Sequence, residues 1–207
     1  MIQRWKSLSL IASVLLASAF GAQAGPLQTL PATLPGIGGT GLENVLYNVQ
    51  SAGGATVALG AHGYKNGADL PNNGTDTFYA QPGLYIPDGL NRANWSFDFS
   101  WNLGASCVGC KVFLGVDNDP SALVNYLVGE ITAVGANSWN LEMPFLTAAY
   151  NFDPFSPSST GFALFVVEAN GAELVRSEIT VNVPEPGTLA LMGIALVGIG
   201  ALRRRKV

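Results

Sequence analysis

Cys107 and Cys110, in "CVGC", are the residues whose types and spacing most readily suggest chemistry. A c-type haem attachment needs His directly after the second Cys, and Lys111 stands there. A thioredoxin-like pair needs a helix opening at the first Cys, but strand patterns flank this one on both sides. A structural zinc site needs four ligands, and the chain offers two Cys and one His. A local disulfide remains. Positions i and i+3 of a β-turn lie within disulfide reach, and Gly109 at i+2 permits a type II turn. So short a closed loop adds little global stability, so the bond is expected mainly to rigidify a hairpin tip.

The other candidates are weaker. "DNDP" brings Asp117 and Asp119 together with Asn118. Calcium favours oxygen-rich loops but takes about six to eight ligands, and no complete EF-hand loop is present. A solvated Asp/Asn-Pro turn is the plainer reading, with calcium at Asp117 and Asp119 as the alternative. His62 is the only histidine, and no G-x-S-x-G motif accompanies it. "GIGGTG", Gly36 to Gly41, matches the letters of a dinucleotide fingerprint, but a Pro-rich stretch precedes it where a strand is required. Paired carboxylates for glycoside hydrolysis need only two acids at the right separation, which makes them unspecific here. No catalytic residue, resident metal or cofactor is assigned, and the chain is not expected to be an enzyme.

The elements that would position these residues read as strands. In "NWSFDFSWN", Trp95, Phe97, Phe99 and Trp101 alternate with Ser96, Asp98, Ser100 and Asn102, the pattern of a half-buried strand. "KVFLGVD" follows as another. "GFALFVVEANGAELVRSEITVNV" reads as two strands joined at Asn170-Gly171 by a type I′ turn. Further strands are expected at 44–49, 55–61, 76–79, 126–134 and 138–145. Only 43–50 and 121–127 offer a helical alternative. Many short strands broken by Gly, Pro, Asn and Asp argue for an all-β fold, a single β-sandwich whose jelly-roll or Ig-like topology stays undecided.

The two ends carry a different kind of information. Arg4 and Lys6, an apolar run from Leu8 to Phe20, and small residues at Ala22 and Ala24 form a secretory signal peptide with cleavage after Ala24. At the other end, Thr188–Leu202 has 15 residues without a charge, followed by Arg203, Arg204, Arg205 and Lys206. As a helix it covers about 22 Å at about 1.5 Å per residue, short of a comfortable bilayer span. The basic cluster favours the cytoplasmic side, and a cleaved signal places the body outside, so both ends predict one topology. Between them the body is acidic. Lys65, Arg92, Lys111 and Arg176 face thirteen acidic residues, a net charge near −9 against −4 for the whole chain. Such a surface disfavours nucleic acid and anionic lipid. The expected organisation is a signal peptide at 1–24, a Gly/Pro-rich leader or early loop at 25–41, a β-sandwich domain at 42–183 and a sorting segment at 184–207.

The order Pro184-Glu185-Pro186, a short apolar helix and a terminal Arg cluster closely resembles the PEP-CTERM sorting domain of Gram-negative bacteria. That domain is also catalogued as the ice-binding protein C-terminal domain, a label with no bearing on ice. The resemblance implies recognition by an exosortase-type membrane enzyme, removal of the tail near Pro184–Pro186, and a host that secretes exopolysaccharide. The body is similar to a group of PEP-CTERM exoproteins in segments such as "AHGYKNGADLPNNGTDTFYA", "FDFSWNLG" and "VFLGVDNDPS". That group has no activity to carry over.

Three functions are weighed. The first is a non-catalytic protein of the surface or extracellular matrix, associated with exopolysaccharide or biofilm. It would be anchored transiently in the inner membrane, C-terminus in the cytoplasm, and then released to the surface or exterior. The second is a carbohydrate-binding module stacking sugars on aromatics such as Tyr64, Tyr79, Tyr85 and Trp139. The third is a secreted hydrolase. Exposed coplanar aromatics would favour the second, and a deep pocket with converging carboxylates the third.

Overall fold

The computed structural model describes residues 25–37, 45–65, 69–118, 124–132, 135–147, 149–150 and 152–185. Among the described residues, alternating apolar and turn-forming residues produce twelve strands and one short helix. They are β1 (Gln28–Thr29), β2 (Leu46–Ala52), β3 (Ala55–Gly63), β4 (Thr77–Tyr79), β5 (Leu84–Tyr85), β6 (Arg92–Ala93), β7 (Trp95–Asn102), β8 (Lys111–Asp117), β9 (Tyr126–Glu130), β10 (Ala136–Trp139), α1 (Pro144–Thr147), β11 (Ser158–Val167) and β12 (Glu173–Val183). The described body is all-β. One five-stranded sheet runs β1-β2-β3-β7-β10, a second runs β4-β12-β11-β8-β9, and β5 and β6 form a small hairpin. All pairings are antiparallel except β4 with β12.

The two large sheets face each other across a shared core, because alternation gives each an apolar inner face. Phe97 of the first sheet stacks on Phe162 of the second with ring centroids 4.3 Å apart. Trp95 meets Phe162 edge-on at 6.0 Å, and Phe99 lies along Trp101. From the second sheet Val112, Leu114, Val116, Leu164, Ile179 and Val181 complete the layer.

β7 is buried on both faces, where alternation alone predicts a half-buried strand. Ser96, Asp98 and Ser100 are as enclosed as the aromatics between them. The segment 25–37 supplies the cover. Gln28–Thr29 pairs with β2, the Ser100 hydroxyl donates to the Pro35 carbonyl at 2.8 Å, and the Asn102 amide donates to Thr33. Leu34, Val45, Tyr47 and Ala58 make a second small apolar cluster on that outer face.

Other boundaries shift for local reasons. β10 stops at Trp139 rather than continuing to residue 145. Asn140 turns the chain by accepting hydrogen bonds from the Ala93 and Glu142 amides, and Pro144 then opens α1, a position where its missing N–H costs nothing. The 43–50 stretch is strand from Leu46, not helix, since its residues pair with β3. The β11–β12 connection is not a two-residue I′ turn. Glu168 and Ala172 close a three-residue loop, the Gly171 amide donates to the Glu168 carbonyl, and Gly171 alone has positive φ (+88°). This is a type I turn completed by a left-handed residue.

Candidate functional site

The junction between body and tail is built by the last residues of β12. Asn182 pairs with Tyr79 across the parallel β4–β12 ladder, and Val183 pairs with Ser158. The Asn182 carbonyl accepts the Ala80 amide at 2.9 Å. Val183 is buried, whereas Pro184 and Glu185 are exposed immediately after it. Proline ends the ladder because it has no N–H to donate. A cleft of about 320 Å³ lies against this exit, lined by Pro157, Ser158 and Ser159 opposite Asn182–Glu185. The ordered fold therefore hands over to the Pro-Glu-Pro segment without a linker. Pro186, Arg203, Arg204 and Arg205 lie outside the described residues, as do Ala22 and Ala24 and both apolar end segments. Among the described residues no helix is long and apolar enough to cross a membrane.

Cys107 and Cys110 are joined by a disulfide, with Cα atoms 5.4 Å apart. The Cys110 amide donates to the Cys107 carbonyl at 3.3 Å, and Gly109 has φ +75°, as a type II turn requires at that position. The turn does not cap a hairpin. β7 and β8 belong to different sheets, so the disulfide sits in the crossover between them. Beside it, a cleft of about 240 Å³ is bounded by Gly53, Ser106 and Val108, and by the β11–β12 loop with Glu168 and Asn170.

The aspartate turn has a structural task. Asp117 ends β8, is buried, and accepts the Asn125 amide at 2.9 Å, while the Asn118 amide reaches the Asn125 carbonyl. Asp119 lies outside the described residues. Among the described residues no group of three or more His, Cys, Asp or Glu side chains could hold a metal ion.

Spacing gives no hint of the pair His62–Asp98. The two sit on adjacent strands of the first sheet, with His62 opposite Ser96 and Asp98 opposite Gly60 and Ser138. The imidazole Nδ1 and carboxylate Oδ2 are 2.7 Å apart, with Asp98 fully buried and His62 4% exposed. Burial pushes the Asp98 carboxyl up from its usual range, while His62 and Ser138 pull the other way. Nearby, Asn140 holds the start of β7 through the Ala93 and Trp95 carbonyls and the Ser96 hydroxyl. The available signal was weak: a lone histidine at the end of a strand rich in small residues.

Two of the aromatics that could stack sugars pack against each other. Tyr64 and Tyr85 meet edge-to-face at 5.6 Å with planes 80° apart. Trp139 packs against Phe97, Phe99 and Phe145. Tyr79 lies on β4 beside the buried Phe78 and is 44% exposed. No curated protein and no solved structure matches the chain. Residues 182–206, from the last two residues of β12 through the basic cluster, match the family model of the PEP-CTERM protein-sorting motif, and the exit from β12 is therefore the start of a sorting signal.

Proposed function

We propose that this chain is an exported, non-catalytic protein of the cell surface or extracellular matrix. In this reading the tail holds it in the inner membrane with the C-terminus cytoplasmic. An exosortase-type enzyme then cuts near Pro184–Pro186, and the body 25–183 leaves to associate with exopolysaccharide. The carrying observation is the coincidence of the motif with the end of β12. The match begins at Asn182, and the backbone becomes exposed at Pro184, two residues later. A processing enzyme meets accessible peptide there, and cutting removes no residue of the core.

Each of the two clefts described has a single carboxylate on its wall, Glu168 in one and Glu185 in the other. The buried His62–Asp98 pair lies inside the sheet layer rather than in either cleft. The test is fractionation of a host that secretes exopolysaccharide. The body is expected in the matrix fraction, released when the polysaccharide is digested, and without hydrolytic activity on it. Turnover of that polysaccharide, abolished by a single Asp or Glu change, would overturn the reading.

A further inference from the structure

We propose that, before processing, the tail-bearing end of the β body rests directly on the bilayer through an apolar rim formed by Tyr79, Ile86, Leu90, Phe145 and Phe155. This rests on the anchoring reading above and adds a partner for the body itself, a zwitterionic lipid surface.

The two ends of the body are chemically unlike. One end carries the β2–β3 turn, the disulfide crossover and the β11–β12 loop, which together wall one cleft. The other carries the exit of β12 at Val183, the start of β11 at Ser158 and the start of β7 at Trp95, opposite Gly63. Along the 11 residues of β12 these ends stand roughly 33 Å apart, at about 3.3 Å per residue. Nine large hydrophobic side chains are exposed among the described residues: five form this rim, Val124, Leu127 and Val128 lie on or just before the edge strand β9, and Val108 sits at the far end.

The rim is placed at the tail end by backbone contacts. Tyr79 pairs with Asn182, two residues before the motif's first proline. The Gly83 amide donates to the Pro154 carbonyl, which brings Phe155 beside the base of the β5–β6 hairpin. That hairpin carries Ile86 and Leu90 in its tip, 68% and 51% exposed. Tyr64 and Lys65 continue β3 past the end of the sheet and hold the tip through Asp88, with Lys65 Nζ 2.7 Å from the carboxylate. α1 follows β10 out of the same end and presents Phe145.

Reach completes the argument. Pro184 to Gly187 separate Val183 from the apolar run at Thr188. Fully extended, they place the body no more than about 18 Å from the start of that run. The headgroup layer is itself about 5–7 Å thick, so the tail holds the rim within reach of the interface. Exposed aromatic and aliphatic residues gain free energy there by burying their apolar parts. The acidity of the body favours zwitterionic over anionic lipid for this contact.

The test uses the full chain, exported, purified unprocessed from a host lacking the processing enzyme, and reconstituted in phosphatidylcholine vesicles containing a quencher-bearing lipid. Single Phe155→Cys, Ile86→Cys, Asn170→Cys and Ala195→Cys variants, with the native disulfide intact, carry a fluorescent label. Labels at 195, 155 and 86 are expected to be quenched, the latter two about twofold or more above the label at 170, as for side chains seated in the interface. Quenching at 195 with 155 and 86 no different from 170 would overturn the docking and leave the anchor standing. An unquenched label at 195 would remove the anchor, and the docking with it.

Discussion

His62 and Asp98 form the most consequential residue-scale feature outside the tail. A buried carboxyl whose value is pushed up by desolvation binds its proton more tightly in the native state than in the unfolded chain. Its favourable contribution is therefore complete below the unfolded value of about 3.9 and is lost as pH rises through the raised native value. Replacing Asp98 with Asn removes that dependence. The stability gap between the native protein and Asp98→Asn, measured by urea unfolding from pH 3 to 7, should change in favour of the variant as pH rises. A gap that moves against the variant would contradict the account. Gly104 gives a second residue-scale prediction. Its φ is +65°, and a Cβ there would collide with the Gly54 carbonyl oxygen, a backbone atom that cannot swing away. Gly104→Ala should cost about 1–3 kcal/mol, read as a lowered urea midpoint; an unchanged midpoint would show that the crossover adapts. Neither feature was legible in the sequence. The partners of β7's polar face lie far along the chain, upstream as for Ser100 and Pro35, 65 residues apart, and downstream as for Ser96 and Asn140, and no local period reports such contacts.

At the scale of elements, alternation was the reliable signal, because a two-residue period is a direct consequence of strand geometry. It located β3, β7, β8, β11 and β12 to within a residue or two at most ends. It failed where side-chain hydrogen bonds override it, as at Asn140, which stops β10 before α1. It also misjudged the loop around Asn170-Gly171, since two-residue and three-residue hairpins share that dipeptide and differ only in which residues take positive φ. The cysteine spacing suggested a tight turn but not its place between sheets. Because the closed loop is so short, reducing the disulfide or making Cys107→Ala with Cys110→Ala should cost about 2 kcal/mol or less by loop-closure entropy. Differential scanning calorimetry reads this as a shift of several degrees with the transition still cooperative. Loss of the cooperative transition would mean that the crossover is essential to joining the sheets.

For the whole molecule, the governing relation is between a closed β body and the tail that leaves it. The Pro-Glu-Pro order, the apolar run and the arginines were readable because sorting acts on a linear peptide, which needs no tertiary context. The way the body meets that peptide was not readable, since it depends on β12 pairing with β4 and β11 up to Val183. Cutting beyond that point should leave every ladder intact, so the processed body should unfold at the same temperature as the unprocessed one. The most direct test of the central claim is mass spectrometry of the intact protein from the culture medium and from cell membranes. The medium should yield a chain beginning at Gly25 and ending between Pro184 and Pro186. A secreted chain that still carries Arg203–Arg205, or one cut inside β12, would contradict it.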